Sequence, residues 1–220
     1  MQQAEKITRQ TVFTLSQRLT HWIIALAVIF QLLSAWLVQH SDVDVVAWFE
    51  WHLMVGQAMI VALLYRLFLL LRQGSGHWRL LVPTREQRHV ALQTLKFYLS
   101  LGRLNSPDWY AYNPIWQPLY LLLIVLLVLT AATGLLAGSY LFAFGFSISQ
   151  LHGILAALVL AFSIAHPLFV VLHDARGNGA QLSAMLNGFK YFHVRQSSQP
   201  STIDPTPAKN SVSLDSLLKK

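Results

Sequence analysis

The sequence predicts an all-α fold, an integral membrane four-helix bundle with both termini in the cytoplasm. Hydrophobic residues make up 55% of the 220 residues and charged residues only 11%, whereas a soluble globular domain carries about 25% charged residues. Four apolar stretches are each about as long as the roughly 20 residues that cross a bilayer, namely residues 21–39, 50–71, 116–141 and 150–172. This composition excludes a soluble enzyme, a nucleic-acid-binding protein and a disordered chain.

The first apolar stretch is predicted to remain as a span. The 16 residues at the start of the chain are mostly polar, and no small-residue cleavage site follows the apolar run before Asp42, so a cleaved signal peptide is not expected. The third stretch is the clearest span, because no charged residue occurs between Trp116 and Gln150. The chain also contains no cysteine, which excludes disulfides, iron–sulfur ligation and thioether-linked haem.

The distribution of basic residues predicts the orientation. Three Lys or Arg residues precede the first span, six lie between the second and third, and six follow the fourth. Segments 40–49 and 139–149 contain none, and Arg66 alone lies inside a span. By the positive-inside rule, the termini and the central loop face the cytoplasm. The net charge of +7 therefore reflects topology, and no nucleic-acid partner is expected.

The central loop is predicted to contain an amphipathic surface helix. Thr84-Arg85-Glu86-Gln87 has the pattern of a capping box, and Ala91, Leu95, Tyr98 and Leu101 then recur at helical spacing. The sequence thus divides into a four-span domain, residues 1–176, and a cytoplasmic tail, residues 177–220. The tail is expected to be largely mobile, because it is rich in Ser and Pro from residue 196 onward.

Four histidines are predicted to lie at two depths of the bundle. His52 and His152 start inward-running spans near the outer side, whereas His21 starts the first span at the inner side. His166 follows His152 by 14 residues, a rise of about 21 Å and a rotation about 40° short of four turns. The two histidines of the fourth span therefore share a helix face.

These depths predict two histidine pairs, each formed by two different helices. His52 would face His152 near the outer side, and His21 would face His166 near the inner side. Two imidazoles from facing helices are the usual axial ligands of a six-coordinate haem iron. We therefore expect two haem b groups, with these four histidines as iron ligands. His173 shares the face of His166 and is an alternative partner for His21.

Glycine and arginine residues agree with this interpretation. Gly56 lies one turn from His52, and Gly153 follows His152, where absent side chains would leave space for a porphyrin. Gly134 and Gly138 fit the same role or close helix packing. Arg66 lies 14 residues after His52, and Arg18 precedes His21 by three. Both would pair with propionates of the inner haem, although Arg66 has the alternative of reaching the inner headgroups.

The chain resembles the di-haem cytochrome b subunits of membrane-bound nickel–iron hydrogenases, and the related formate dehydrogenase gamma subunits and bacterial cytochrome b561. The resemblance covers about residues 14–176. It depends on four motifs, which are Arg18-Leu19-Thr20-His21-Trp22, His52-x3-Gly56 with Arg66, Tyr112-Asn113-Pro114, and His152-x13-His166. In these families the histidine pairing is the one that the depths predict.

The resemblance implies a membrane electron-transfer subunit, catalytic only within a complex. Its partner would be a periplasmic nickel–iron hydrogenase, or a formate dehydrogenase, with an iron–sulfur subunit, and its location the bacterial inner membrane. Quinone would be reduced near the inner haem. Asn113 matches a quinone-site residue of the formate dehydrogenase relatives, and an Asn-Pro turn before the third span is the alternative role.

Three other functions remain open from the sequence. A stand-alone cytochrome b561 oxidoreductase would need no soluble partner, although the long central loop favours a partner-bound subunit. A transporter that uses intramembrane histidines is disfavoured, because neither an internal repeat nor a broken helix is evident. In a plain membrane anchor the histidines would be dispensable.

Overall fold

A computed structural model describes residues 5–104, 112–139, 141–176 and 181–195. The chain divides into two compact units, residues 8–192 and a smaller unit of residues 1–7 with 193–220. Of the smaller unit, only residues 5–7 and 193–195 are described, as the outer ends of two strands. The larger unit contains four helices long and apolar enough to cross a membrane, which confirms the predicted all-α membrane fold.

The elements follow one another in a simple order. They are β1 (Glu5–Thr11), α1 (Leu15–His40), α2 (Val45–Leu71), a 3-10 turn (Trp78–Leu81), α3 (Arg85–Leu99), α4 (Trp116–Leu135), β2 (Phe142–Ala143), β3 (Phe146–Ser147), α5 (Ile148–Arg176), α6 (Gln181–Asn187) and β4 (Phe189–Arg195). Strands β1 and β4 pair with each other, and β2 pairs with β3. The four candidate spans are α1, α2, α4 and α5.

All four spans have ends that differ from the prediction. Helix α2 begins at Val45 rather than at residue 50, and α5 covers Ile148–Arg176 rather than residues 150–172. Helix α1 starts at Leu15 rather than at residue 21, because Thr14 and Gln17 form a capping box. Helix α4 ends at Leu135 rather than at residue 141. Residues 136–139 beyond it are not helical, and the β2–β3 hairpin that follows turns through Phe144 and Gly145, both with positive φ. Hydropathy alone does not separate such a hairpin from the end of a span.

The four spans form two helical hairpins. Helix α1 packs along α2 over much of its length, and α4 packs along α5, whereas α2 and α4 make few direct contacts. A buried layer from all four spans joins the hairpins near mid-height, and it includes Val28, Met59, Ile124, Leu127 and Val159. We call the end where α1 begins and α5 ends the terminal end, and the end with β2–β3 the hairpin end.

Helix α3 lies in the central loop, as predicted, and packs on the bundle by one side. It is capped by the expected Thr84–Gln87 box, and it buries Thr94, Phe97 and Tyr98. Leu95 and Leu101 are 40% and 63% exposed. Phe97 and Tyr98 pack with Trp116 at the start of α4 and with aromatic residues of α5.

The described part of the predicted tail contains the seven-residue helix α6 and the strand β4. Helix α6 lies near the start of α1, where Trp22 Nε1 donates a hydrogen bond to the Met185 carbonyl at 3.3 Å. Residues 196–220 and 177–180 lie outside the described residues. The predicted mobility of the tail therefore stays a prediction.

Candidate cofactor-binding site

The structure brings the four predicted histidines together as two pairs. At the terminal end, the rings of His21 and His166 have centroids 6.3 Å apart and planes inclined by 70°. At the hairpin end, the rings of His52 and His152 are 6.4 Å apart and inclined by 87°. Each pair takes one imidazole from α1 or α2 and the other from α5.

Both distances fit one iron atom held between two imidazoles. A metal–imidazole bond is about 2 Å long and the ring centre lies roughly 1.1 Å from each nitrogen, so two collinear ligands have ring centroids about 6 Å apart. Across the described residues, no cluster of three or more His, Asp, Glu or Cys side chains occurs that could hold a metal. A metal bound by either pair would need its other ligands from a cofactor, and a porphyrin supplies four nitrogens.

At the hairpin end, the Nδ1 atom of each imidazole makes a hydrogen bond that orients the ring. His52 Nδ1 lies 2.9 Å from the Ser34 hydroxyl, and His152 Nδ1 lies 2.9 Å from the Thr130 carbonyl. The Thr133 hydroxyl is a further neighbour of His152 Nδ1, at 3.3 Å. When Nδ1 carries the proton, the lone pair of the neutral ring is on Nε2 and is available to a metal.

At the terminal end, His166 lies among aromatic rings. Its ring stacks on Phe162 at 5.6 Å and meets Trp116 and Tyr120 edge-on, each at 5.7 Å. His166 Nδ1 is buried, and the described chain provides no hydrogen-bond partner for it. His173 is 3% exposed, and its ring packs against Phe97 at 5.6 Å. The ring that faces His21 is that of His166.

Arg66 reaches the terminal end through a buried polar network. The Tyr112 hydroxyl donates to the Ser75 carbonyl at 2.9 Å and accepts from Gln17 Nε2 at 3.1 Å. Burial raises the pKa of Tyr112, and the nearby Arg66 guanidinium partly opposes this shift. Arg66 Nη1 is buried and lacks a partner among the described groups. A buried guanidinium nitrogen with an open bond suits a carboxylate such as a haem propionate.

Arg18 has a different environment in the structure. Its Nη1 donates a hydrogen bond to the Leu186 carbonyl at the end of α6, while its Nε is buried and unpartnered within the described part of the chain. The predicted contact with a propionate therefore stays a prediction. One donor of Arg18 therefore stabilises the contact between α1 and α6.

The glycines predicted to make room for a porphyrin differ in their surroundings. A Cβ at Gly134 would meet the His152 ring, with Cε1 at 3.0 Å, and a Cβ at Gly56 would meet the Gln31 amide at 2.5 Å. Gly138 and Gly153 face open space. Gly134 is thus required for the approach of α4 to a histidine, and the role of Gly56 beside a porphyrin stays a prediction.

Asn113 is buried and forms the turn that starts α4. Its Oδ1 accepts from the Ile115 amide at 3.1 Å, and its backbone carbonyl accepts from the amides of Trp116 and Gln117. Its Nδ2 donates to the Tyr98 hydroxyl at 2.8 Å. The structure thus shows the turn role, while quinone binding by Asn113 stays a prediction.

Tyr98, Ser34 and Thr133 contribute to the site without having been identified from the sequence. The Tyr98 hydroxyl accepts from Asn113 Nδ2 and from Trp116 Nε1, the latter at 3.3 Å, and burial raises the Tyr98 pKa. Ser34 and Thr133 each lie within hydrogen-bonding distance of a histidine Nδ1. A hydroxyl residue inside a span is a sequence signal for a polar contact, but its spacing does not indicate which helix it faces.

One family model matches most of the chain. It is described as prokaryotic cytochrome b561, and it matches residues 12–188, a range that includes all four spans and all four paired histidines. Neither a curated protein nor a solved structure matches the chain.

Proposed function

The chain belongs to the prokaryotic cytochrome b561 family, and from this membership we propose that it carries electrons through two haem b groups to membrane quinone. Family and fold together make it a multi-pass membrane cytochrome of the b type that functions in electron transfer. The number of haems, the quinone and the soluble partner belong to the proposal. The observation that supports it most is the spacing of the two histidine pairs, 6.3 and 6.4 Å.

The residues of the chain have separate roles in this proposal. His21 and His166 would hold the haem at the terminal end, and His52 and His152 the haem at the hairpin end. When bound, a haem iron supplies one-electron chemistry by changing between its ferric and ferrous states. The Arg66 guanidinium would bind a propionate, and the buried layer with Met59 and Val159 would keep water out between the two sites.

The quinone would bind at the terminal end, close to the aromatic residues around His166. Two buried polar groups lie near the start of α4. One is the Tyr98 hydroxyl, which accepts from Asn113 and Trp116, and the other is Gln117 Oε1, which has no partner in the described residues. Such groups can hydrogen-bond a quinone carbonyl. Asn113 would then orient Tyr98, even where it does not touch the quinone itself.

The partner would be a periplasmic nickel–iron hydrogenase that donates electrons through an iron–sulfur subunit at the hairpin end. This assignment depends on the basic residues, whose distribution predicts that the terminal end faces the cytoplasm and the hairpin end the outer side, and on the motifs described above. The location would be the bacterial inner membrane. A formate dehydrogenase partner is the alternative within this class, and a stand-alone cytochrome b561 oxidoreductase is also compatible with the family.

A haem count and a co-purification test the proposal. The purified, dithionite-reduced protein should give a b-type spectrum, with two haems per chain by the pyridine haemochrome method. Gentle solubilisation of native membranes should recover hydrogenase subunits with the tagged chain. One haem per chain would contradict the two-site proposal. Recovery of the chain alone, with quinone reductase activity intact, would instead favour the stand-alone oxidoreductase.

A further inference from the structure

The two histidine pairs differ in what their Nδ1 atoms contact. At the hairpin end, Ser34 is fully buried, and its hydroxyl donates to the Gln31 carbonyl at 3.1 Å. The lone pairs of Ser34 Oγ are therefore free to accept from His52 Nδ1, 2.9 Å away. The Ser34 hydroxyl thus acts as an acceptor for this imidazole.

The second imidazole at the hairpin end also donates from Nδ1. Its contact at 2.9 Å is the Thr130 carbonyl oxygen, which has no hydrogen to give, so His152 Nδ1 must carry the proton. The nearby Thr133 hydroxyl donates to carbonyls of its own helix, those of Leu129 and Thr130. Its lone pairs therefore also face His152 Nδ1, at 3.3 Å.

The terminal end lacks this arrangement at His166. Its Nδ1 is buried and has no acceptor among the described residues, because the ring is surrounded by Trp116, Tyr120 and Phe162. In addition, a nitrogen of the Arg66 guanidinium is buried toward this end without a partner among the described residues, and it adds a positive charge there. The two sites therefore differ both in hydrogen bonding and in local charge.

An acceptor at Nδ1 makes an imidazole more basic and a stronger electron donor to its metal. Stronger donation stabilises ferric iron relative to ferrous iron and lowers the reduction potential, whereas an apolar shell or a nearby cation favours the ferrous form. Both differences between the sites act in the same direction. They lower the potential at the hairpin end and raise it at the terminal end.

We propose that Ser34 and the Thr130 carbonyl make the haem between His52 and His152 the lower-potential one of the two. This inference depends on the proposed function, because it needs both haems. Electrons at equilibrium then reside mainly between His21 and His166, next to the proposed quinone site. Ser34 is a positioning residue in this account, since it acts on the iron only through His52.

A potentiometric titration of the purified full-length haem protein, followed optically, tests the proposal. The wild type should titrate in two one-electron steps. In Ser34→Ala, the lower of the two midpoint reduction potentials should rise and the higher one should be unchanged. The expected size is up to about tenfold in the ferrous-to-ferric ratio at fixed potential, which is about 59 mV for one electron. Ser163→Ala is the matched control, because within the described residues Ser163 Oγ donates to the Val159 carbonyl of its own helix and makes no hydrogen bond with a histidine.

The outcomes separate this inference from the proposed function. A wild-type protein with a single haem would refute the two-site proposal itself. If the wild type binds two haems, but Ser34→Ala shifts the higher midpoint potential or leaves both midpoint potentials unchanged, only the inference about potentials is overturned. Should Ser34→Ala fail to retain two haems, Thr133→Val is measured in its place. It removes an acceptor at His152 while keeping the side-chain shape, so it should give a smaller upward shift of the same midpoint.

Discussion

Gly134 lies directly against the imidazole of His152, so that a Cβ at residue 134 would be 3.0 Å from Cε1 of the ring. This spacing is tighter than ordinary van der Waals contact, and the ring cannot retreat freely, because its Nδ1 is held by the Thr130 carbonyl. The absent side chain of one helix therefore sets the position of a candidate iron ligand on the next. Small residues at such contacts are common where membrane helices approach closely.

Gly134→Ala should displace His152 and weaken the haem site at the hairpin end. We expect a loss of about one of the two haems, or a changed optical spectrum of that haem, measured by haemochrome count and low-temperature absorption. Gly138→Ala is the matched control, since a Cβ there meets nothing within 4 Å. An alanine at residue 134 that leaves both haems unchanged would show that the ring has more room than the structure gives it.

Single histidine substitutions should remove haems one at a time. In the proposed arrangement each pair would supply both axial ligands of one iron, so His52→Ala and His166→Ala should each retain about one haem per chain, and the double variant none. His89→Ala serves as the control, because His89 is exposed on α3. The pyridine haemochrome count distinguishes the outcomes. A variant of either paired histidine that keeps two haems would contradict the ligand assignment.

Arg66→Gln should affect the terminal-end haem selectively. Removal of the cation takes away both a propionate partner and a favourable charge for the ferrous form, so the higher midpoint should fall, with lower occupancy of that haem. Arg72→Gln, an exposed position at the end of the same helix, provides the control. If the potentials and the haem count are the same in both variants, Arg66 has no role in haem binding.

Alkaline pH should destabilise the protein through Tyr98. Burial raises the pKa of this hydroxyl in the folded state, whereas the unfolded chain releases the proton near pH 10. The unfolded state therefore binds fewer protons above this pH, and stability is full below about pH 10 and falls as pH rises above it. Thermal unfolding between pH 8 and 11 measures the effect.

Tyr98→Phe should make that alkaline loss smaller, because the buried hydroxyl is gone. At pH 7 the same variant should be less stable by roughly 1–3 kcal/mol, since Asn113 Nδ2 and Trp116 Nε1 lose their shared acceptor. Tyr65→Phe, which changes an exposed tyrosine of α2, should alter neither measurement. An unchanged pH profile in Tyr98→Phe would mean that the alkaline effect arises elsewhere.

The helices and the histidine pairs follow from local sequence properties. Helical rise and rotation are fixed, so a separation of 14 residues between His152 and His166 determines both their depth and their shared face. The start of α1 was also within reach of the sequence, because Thr14-Leu15-Ser16-Gln17 repeats the capping pattern found at Thr84. Hydropathy alone does not reveal this start, because residues 15–20 are more polar than the rest of α1.

The contacts around the histidines could not be predicted in the same way. Whether Ser34 faces His52, and whether Thr130 and Gly134 face His152, depends on the relative rotation of neighbouring helices, which no single helix encodes. The contacts of α3 with the bundle depend on the same kind of rotation. Phe97 and Tyr98 are buried because they pack with Trp116 and Phe169.

The division of the bundle into two helical hairpins has a consequence for biogenesis. Each proposed iron site would take one ligand from α1 or α2 and one from α5, while α2 and α4 make few direct contacts. Binding of a porphyrin would therefore stabilise the contact between the two helix pairs, α1–α2 and α4–α5. We expect halves divided in the central loop to complement each other when co-expressed with an ample haem supply, and to be degraded by membrane proteases when haem synthesis is blocked.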